Sequence, residues 1–267
     1  MKIEIETLSV SYDGPIVLNN INLSVKPSEI ISIVGPNGSG KSTLLRSIAK
    51  LISPISGNIY VDNKNLKNYS RKELSLKIAF LPQYKSIPED ITVLELISYG
   101  RYPHQSNFIT KSKYEDIEAI DRAIALTKLE KLQSRKISTL SGGEQQRTWI
   151  ALCIAQETDI LLLDEPTTFL DIKCQLDVME LIQQLNYELK TTIIMTLHDL
   201  NHATHYSNRI IALKNGEIFA DATPENLINK NIIKAVFDIE CKIISYNSTP
   251  FILPIRNIKE GIKNEKQ

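Results

Sequence analysis

The run "IISIV" at residues 30–34 passes directly into "GPNGSGKS" at 35–42. A short, nearly all-apolar run has the profile of a strand buried on both faces. The eight residues after it hold three glycines and a proline and close on a lysine and a hydroxyl. Gly35, Gly40, Lys41 and Ser42 fit the spacing G-x-x-x-x-G-K-[ST]. Glycines let backbone N–H groups turn inward and approach phosphate oxygens without Cβ clashes. The helix expected from Ser42 to Leu51 adds partial positive charge at its start. Nucleotide phosphates are therefore expected on Gly35, Pro36, Asn37, Gly38, Ser39, Gly40, Lys41, Ser42 and Thr43. Lys41 would reach the β and γ phosphates, and Ser42 would ligate Mg²⁺. A chain of this length matches the spacing by chance about once in a hundred, and the strand–loop–helix context lowers that.

"ILLLDEP" at 160–166 supplies a second half. Four apolar residues predict a buried parallel strand with Asp164 at its C-terminal end, where open α/β sheets bind ligands. Asp164 is expected to hold Mg²⁺ through water, and Glu165 to polarise an attacking water. An isolated "DEP" would be a solvent turn. Its coincidence with the glycine loop favours the chemical reading.

Length and composition limit the alternatives. The chain has 267 residues, 42% of them hydrophobic, and balances 31 Lys+Arg against 31 Asp+Glu. It can bury a real core, and it lacks the basic surplus of a large nucleic-acid footprint. Cys153, Cys174 and Cys241 are odd in number and far apart, which fits a reducing compartment and small buried side chains. "MKIEIETLSV" alternates like a strand and has no signal-peptide core. The apolar runs fall far short of the roughly 18 residues that span a bilayer. A cytosolic protein is expected; if it works at a membrane, another chain spans it.

Strands are expected at 3–9 and 16–25 around a turn at Asp13-Gly14-Pro15, then at 58–61 and 78–81. From about 90 to 157 helical periodicity takes over, with Val93-Leu94-Leu96-Ile97 and Ile117-Ile120-Ile124 on apolar faces. Strands resume at 160–163, 192–196 and 209–213, and the last turns through Asn215-Gly216 into 217–220. The polar end, "IKEGIKNEKQ", is expected to fray.

"LSGGEQQR" at 140–147 resembles the signature motif of ABC-type ATPases. Ser141-Gly142-Gly143 would open a helix whose free N–H groups make a second anion site. The resemblance covers nearly all of residues 1–225, in the family's order: phosphate loop, Gln83, signature, Glu165, Asp171, His198. It implies a P-loop, RecA-like α/β core with an antiparallel β-subdomain and a helical subdomain inserted at about 90–157. Residues 226–267 would be a C-terminal extension. It also implies that two copies meet head to tail, each ATP lying between one copy's phosphate loop and the other's Ser141, Gly142 and Gly143. Tyr12 stands where the family stacks an aromatic on adenine. Gln83 matches the glutamine that senses Mg²⁺ and links to the membrane partner. Asp171 matches the loop crossing the dimer interface, and His198 the switch histidine at the γ-phosphate. Lys41, Glu165 and His198 are thus the catalytic candidates, and Ser42, Gln83 and Asp164 the Mg²⁺ candidates. Phe169 departs from the small residue many members carry.

"HDLNHATH" offers a rival, since His198, His202 and His205 with Asp199 could form a metal site. The switch position explains His198 without it. Among ABC proteins, one cassette and no basic surplus disfavour the soluble translation and repair class, and the lack of a fused membrane region disfavours many exporters. "TVLELISYGRYPHQ" and "RTWIALCIAQETDILLLDEPTTFLDI" resemble the ATPase subunits of bacterial ferric-siderophore importers, a group that includes haem and cobalamin importers. The resemblance implies two permease subunits, an extracellular or periplasmic binding protein acting indirectly, and no nucleic acid.

Overall fold

The computed structural model describes residues 1–85, 90–105, 113–246 and 249–257. The chain opens with β1 (Ile3–Ser11) and β2 (Ile16–Val25), joined through the expected turn. Then come β3 (Ile30–Val34), α1 (Lys41–Ile48), β4 (Ser56–Val61), β5 (Lys64–Asn65), α2 (Arg71–Ser75) and β6 (Ile78–Leu81). A helical stretch carries α3 (Val93–Ser98), α4 (Lys113–Leu126) and α5 (Gly142–Ala155). Alternation returns with β7 (Ile160–Asp164), α6 (Ile172–Leu189), β8 (Thr192–Thr196), α7 (Leu200–Tyr206), β9 (Arg209–Lys214) and β10 (Glu217–Ala222). The chain continues with α8 (Pro224–Leu227), α9 (Lys230–Phe237), β11 (Ile239–Tyr246) and β12 (Thr249–Asn257).

The strands form a four-stranded antiparallel sheet, β2-β1-β4-β5, and a six-stranded sheet, β10-β9-β3-β8-β7-β6. The larger sheet is parallel except for its edge strand β10. Side chains alternate between its two faces, and both faces are buried. Ile31, Ile33, Ile160, Leu162 and Ile194 join one core with α1 and the antiparallel sheet. Ile30, Val34, Leu161, Leu163, Ile193 and Met195 join the other, with α3, α4, α5 and α6. This explains why β3 and β7 carry no polar–apolar alternation in sequence. The one polar residue of β3, Ser32, is fully buried and shares a 2.6 Å hydrogen bond with the Ser207 hydroxyl.

Several expectations needed adjustment. The first helix stops at Ile48, leaving Leu51 exposed. Val93, Leu96 and Ile97 are buried as the periodicity predicts, but Leu94 and Ile117 are exposed, so the apolar stripes are narrower than the sequence suggested. Cys153 and Cys241 are buried, whereas Cys174 is half-buried. The largest difference lies after Ala222. The sequence offered no elements there, yet two helices and a hairpin pack onto the core. Asn201 of α7 grips β12 twice, donating to Ile252 O at 3.2 Å and accepting from Ile252 N at 2.8 Å. Residues 258–267, expected to fray, lie outside the described residues. Among the described residues, no helix is long and apolar enough to cross a membrane.

Candidate nucleotide-binding site

Parallel strands aim their C-terminal ends at one edge, and there β3, β6, β7 and β8 deliver the predicted residues. The loop after β3 needs glycine at both ends. A Cβ on Gly35 would lie 2.2 Å from Leu213 O, and one on Gly40 would lie 2.5 Å from Leu18 Cδ2. Gly40 is also left-handed, with φ 99°, and caps α1 without a side-chain hydrogen bond. The first N–H groups of α1 are therefore left to a ligand, with the helix dipole behind them. Lys41 is buried, and its Nζ donates to Gly35 O at 2.9 Å and Pro36 O at 3.1 Å. Burial lowers its pKa, while the charges of Glu165 and Asp164 oppose that fall. Tyr12 stands half-exposed at the rim, its hydroxyl 3.2 Å from Thr43 Oγ1.

Asp164 closes the floor. Its Oδ1 accepts from Ser42 Oγ at 2.8 Å and from Thr196 Oγ1 at 2.9 Å. Its Oδ2 is buried with no partner among the described residues. A buried carboxylate oxygen without a donor, beside a serine hydroxyl, is a hard-oxygen set suited to a divalent cation and its waters. Sequence reasoning missed Thr196. Its signal is positional, since it ends β8 directly beside Asp164 in the parallel register.

Glu165 gathers the remaining candidates. It holds left-handed backbone at φ 53°, with its N–H fixed by Thr196 Oγ1 at 2.9 Å. One carboxylate oxygen accepts from Gln83 Nε2 and from Thr168 Oγ1, the latter at 3.0 Å. The other lies 2.5 Å from His198 Nε2. Strain in such a loop is characteristic of functional sites. An oriented carboxylate flanked by an amide and an imidazole can position a water and take its proton.

The signature residues stand apart. Among the described residues, no hydrogen bond joins Ser141, Gly142 or Gly143 to the glycine loop. Ser141 caps α5 in a reciprocal box with Glu144: Glu144 N donates to Ser141 Oγ at 3.4 Å, and Ser141 N donates to Glu144 Oε2 at 2.8 Å. The box occupies the Ser141 hydroxyl and the N–H groups of Ser141 and Glu144, while the N–H groups of Gly142 and Gly143 have no partner among the described residues. The Ser141 N–H and hydroxyl both donate to Glu144 Oε2 at 2.8 Å and hold the Glu144 carboxyl below its usual range. Asp171 caps α6, accepting from Cys174 N at 2.9 Å. Gly143 lets α5 and α6 close, as a Cβ there would meet Cys174 Sγ at 2.5 Å. Lys85, which the sequence reading passed over, donates to Gln146 Oε1 of α5 at 2.6 Å, and burial lowers its pKa to about 8.

The rival metal reading is not supported. His198 turns to Glu165, while His202 and His205 pack against the Tyr206 ring at 6.0 and 4.8 Å between centroids. The described residues contain no cluster of three or more His, Cys, Asp or Glu able to hold a metal ion.

The ABC transporter family pattern matches residues 18–168. The chain belongs to the ABC transporter family. This ABC chain is 45% identical over 244 residues to the petrobactin import ATP-binding protein FpuC of Bacillus anthracis, covering 91% of this chain and 89% of the relative. It is 41% identical over 252 residues to the ferric enterobactin transport ATP-binding protein FepC of Escherichia coli K12, covering 94% and 93%. Its fold matches a dimeric ATP-binding cassette, MJ0796, solved in a post-hydrolysis state with ADP and phosphate. The TM-score is 0.73 at 32% identity, over 83% of this chain and 98% of that one. The ABC chain is thus an ATPase whose nucleotide is ATP.

Proposed function

We propose that the chain is the ATP-hydrolysing motor of an importer for iron(III)–siderophore complexes. End-to-end similarity to the petrobactin and ferric enterobactin proteins carries the substrate class. The motor works as two copies arranged head to tail, a reading supported by the dimeric cassette of the same fold. It sits on the cytoplasmic side of the membrane against two permease subunits on other chains, and a binding protein outside delivers the chelate. Residues 1–225 are the ATPase unit, with its helical lobe at about 90–157, and 226–267 are the extension.

The residues divide the work by position. Tyr12 offers its ring to adenine. Gly35, Pro36, Asn37, Gly38, Ser39, Gly40 and Thr43 wrap the phosphates with backbone and hydroxyl donors. Lys41 exchanges its two loop carbonyls for phosphate oxygens. Ser42, Asp164 Oδ2 and the amide oxygen of Gln83 form the oxygen set for Mg²⁺. When bound, Mg²⁺ offsets the charge on the β and γ phosphates. Glu165 orients the attacking water and accepts its proton, and His198 holds Glu165 and addresses the γ-phosphate. Ser141, Gly142 and Gly143 of the second copy close the site, and Asp171 stands at the junction. Gln83 links the site's state to the permease.

Growth of a gene-deletion strain tests the substrate class. Ferric siderophores as sole iron source should fail to support it, and ferrous salts should rescue it. Normal iron uptake from every siderophore, with a defect in haem or cobalamin uptake, would overturn the assignment.

A further inference from the structure

Thr196 is the last residue of β8, and it is fully buried. The β7–β8 register sets it directly beside Asp164, the last residue of β7. Its Oγ1 makes two hydrogen bonds of 2.9 Å, one with Asp164 Oδ1 and one with Glu165 N. Chemistry fixes the direction of both. A backbone N–H can only donate, and an ionised carboxylate can only accept. The hydroxyl therefore accepts from Glu165 and gives its single proton to Asp164. One oxygen atom thus joins the two neighbouring acidic residues of the site, one through its side chain and the other through its backbone.

Each bond constrains a different part of the chemistry. Asp164 Oδ1 has a second donor, Ser42 Oγ at 2.8 Å, while Oδ2 is buried with no partner among the described residues. Ser42 also belongs to the oxygen set for Mg²⁺. Of the two donors, Thr196 is the one whose hydroxyl is not shared with a cation, so it keeps Oδ1 occupied and Oδ2 open. Glu165 holds left-handed backbone at φ 53°, a conformation that side chains other than glycine's rarely adopt. The bond from its N–H to Thr196 ties it there. From that posture its carboxylate reaches Gln83, Thr168 and His198. Those three partners orient the carboxylate, and Thr196 sets the backbone from which it projects. A β-branched side chain in a strand has a restricted χ1. Enclosed on all sides, the Thr196 hydroxyl is held in place rather than free to turn.

We propose that Thr196 is a positioning residue for ATP hydrolysis, coupling Asp164 to Glu165. It leaves the second oxygen of Asp164 open and holds the backbone of Glu165 so that the carboxylate meets the attacking water. The proposal rests on Glu165 as the base and adds to it the residue that keeps the base in place. Displacing a reacting group by about 1 Å costs about a hundredfold in rate.

The test is ATP turnover of the full chain in a double-substitution cycle of Thr196→Val with Glu165→Gln. Valine keeps the branched shape and removes the hydroxyl. Thr196→Val should lower kcat about ten- to a hundredfold. KM for MgATP and binding of a fluorescent ATP analogue should stay within about threefold, since the phosphate loop is untouched. In Glu165→Gln, which already lacks the base, Thr196→Val should lower the residual turnover by less than about threefold. Thr196→Ala loses the same hydroxyl without crowding and should behave as valine does. Thr196→Ser should recover most of the turnover, although its lost methyl lowers the melting midpoint by about 2–4 °C. Turnover that follows the melting midpoint across these variants would make the hydroxyl merely structural and overturn the proposal. Equal losses from Thr196→Val in the parent and in Glu165→Gln would overturn it too, because the residue would not act through the base. A parental kcat in Thr196→Val, with Glu165→Gln impaired, overturns this proposal alone. Parental turnover in Glu165→Gln removes the reading of Glu165 as base and takes this proposal with it.

Discussion

Two helices of this chain begin with glycine beside a hydroxyl residue, and they begin in opposite ways. At α1 the cap is Gly40, left-handed, with no side-chain bond to the first turn. At α5 the cap is Ser141, extended, and locked to Glu144 in a box. The first start is buried under Lys41 and the strand edge, whereas Ser141 is exposed. An uncapped first turn is unstable alone and suits an anion. A boxed first turn is stable alone and already carries a carboxylate. The glycine loop is thus organised around a ligand inside one chain. The signature turn is organised to stand without one, and a phosphate reaching Ser141 Oγ has to displace the carboxylate of Glu144. That is the behaviour expected of a half-site met only when a second copy arrives.

The contrast can be broken by substitution. The largest effect is expected at α1. Lys41→Ala should lower ATP turnover about a thousandfold or more, since it removes a cation aimed at transferring phosphates. Circular dichroism should show the fold intact. Near-normal turnover in purified Lys41→Ala would remove the ligand-centred reading of α1. Ser141→Ala should act differently, because it removes a cap as well as a phosphate donor. Unfolding should be easier by about 1 kcal/mol, and turnover should fall by less than for Lys41→Ala. Unchanged stability on denaturant titration would mean that the box does not hold α5.

Glu144→Gln sharpens the comparison with the smallest change. It keeps the reach to Ser141 N but loses the charge at the helix start, worth about 0.5 kcal/mol at an exposed site after solvent screening. The folded Glu144 carboxyl lies below its unfolded value. Between the two values the unfolded chain binds the extra proton, so the contribution of Glu144 is present above the unfolded pKa, about 4.3. It is lost as pH falls through the folded one. Stability curves of the parent and Glu144→Gln should therefore converge as pH drops below about 4. Curves that stay parallel would show that the charge has no role in the cap.

The structure brings together the glycine loop, Asp164 and Glu165 that the sequence singled out, because each is a local motif. β3 and β7 are covered on both faces, so they appear as unbroken apolar runs ending at the glycine loop and at Asp164. Thr196 was overlooked because its bond to Asp164 spans 32 residues and exists only through the β7–β8 register. The last hairpin was hidden by Pro250 and Pro254, which argue against a strand, but in a two-stranded sheet each can turn its missing N–H to the open edge. Phe169 departs from the small residue that many family members carry, and its ring is 84% exposed.

The central claim is that ATP is held between the glycine loop of one copy and the signature turn of another, with Glu165 as the base. Light scattering of Glu165→Gln with MgATP and with MgADP tests it directly, alongside Glu165→Gln carrying Ser141→Arg. Glutamine keeps the size of Glu165 and removes the proton acceptor, and loss of a positioned base costs about 10²–10⁴ in rate. Glu165→Gln should have the mass of two chains with MgATP and of one with MgADP, and Ser141→Arg should return the ATP form to one. A Glu165→Gln pair that Ser141→Arg does not disturb, or that hydrolyses ATP at the parental rate, would contradict the account.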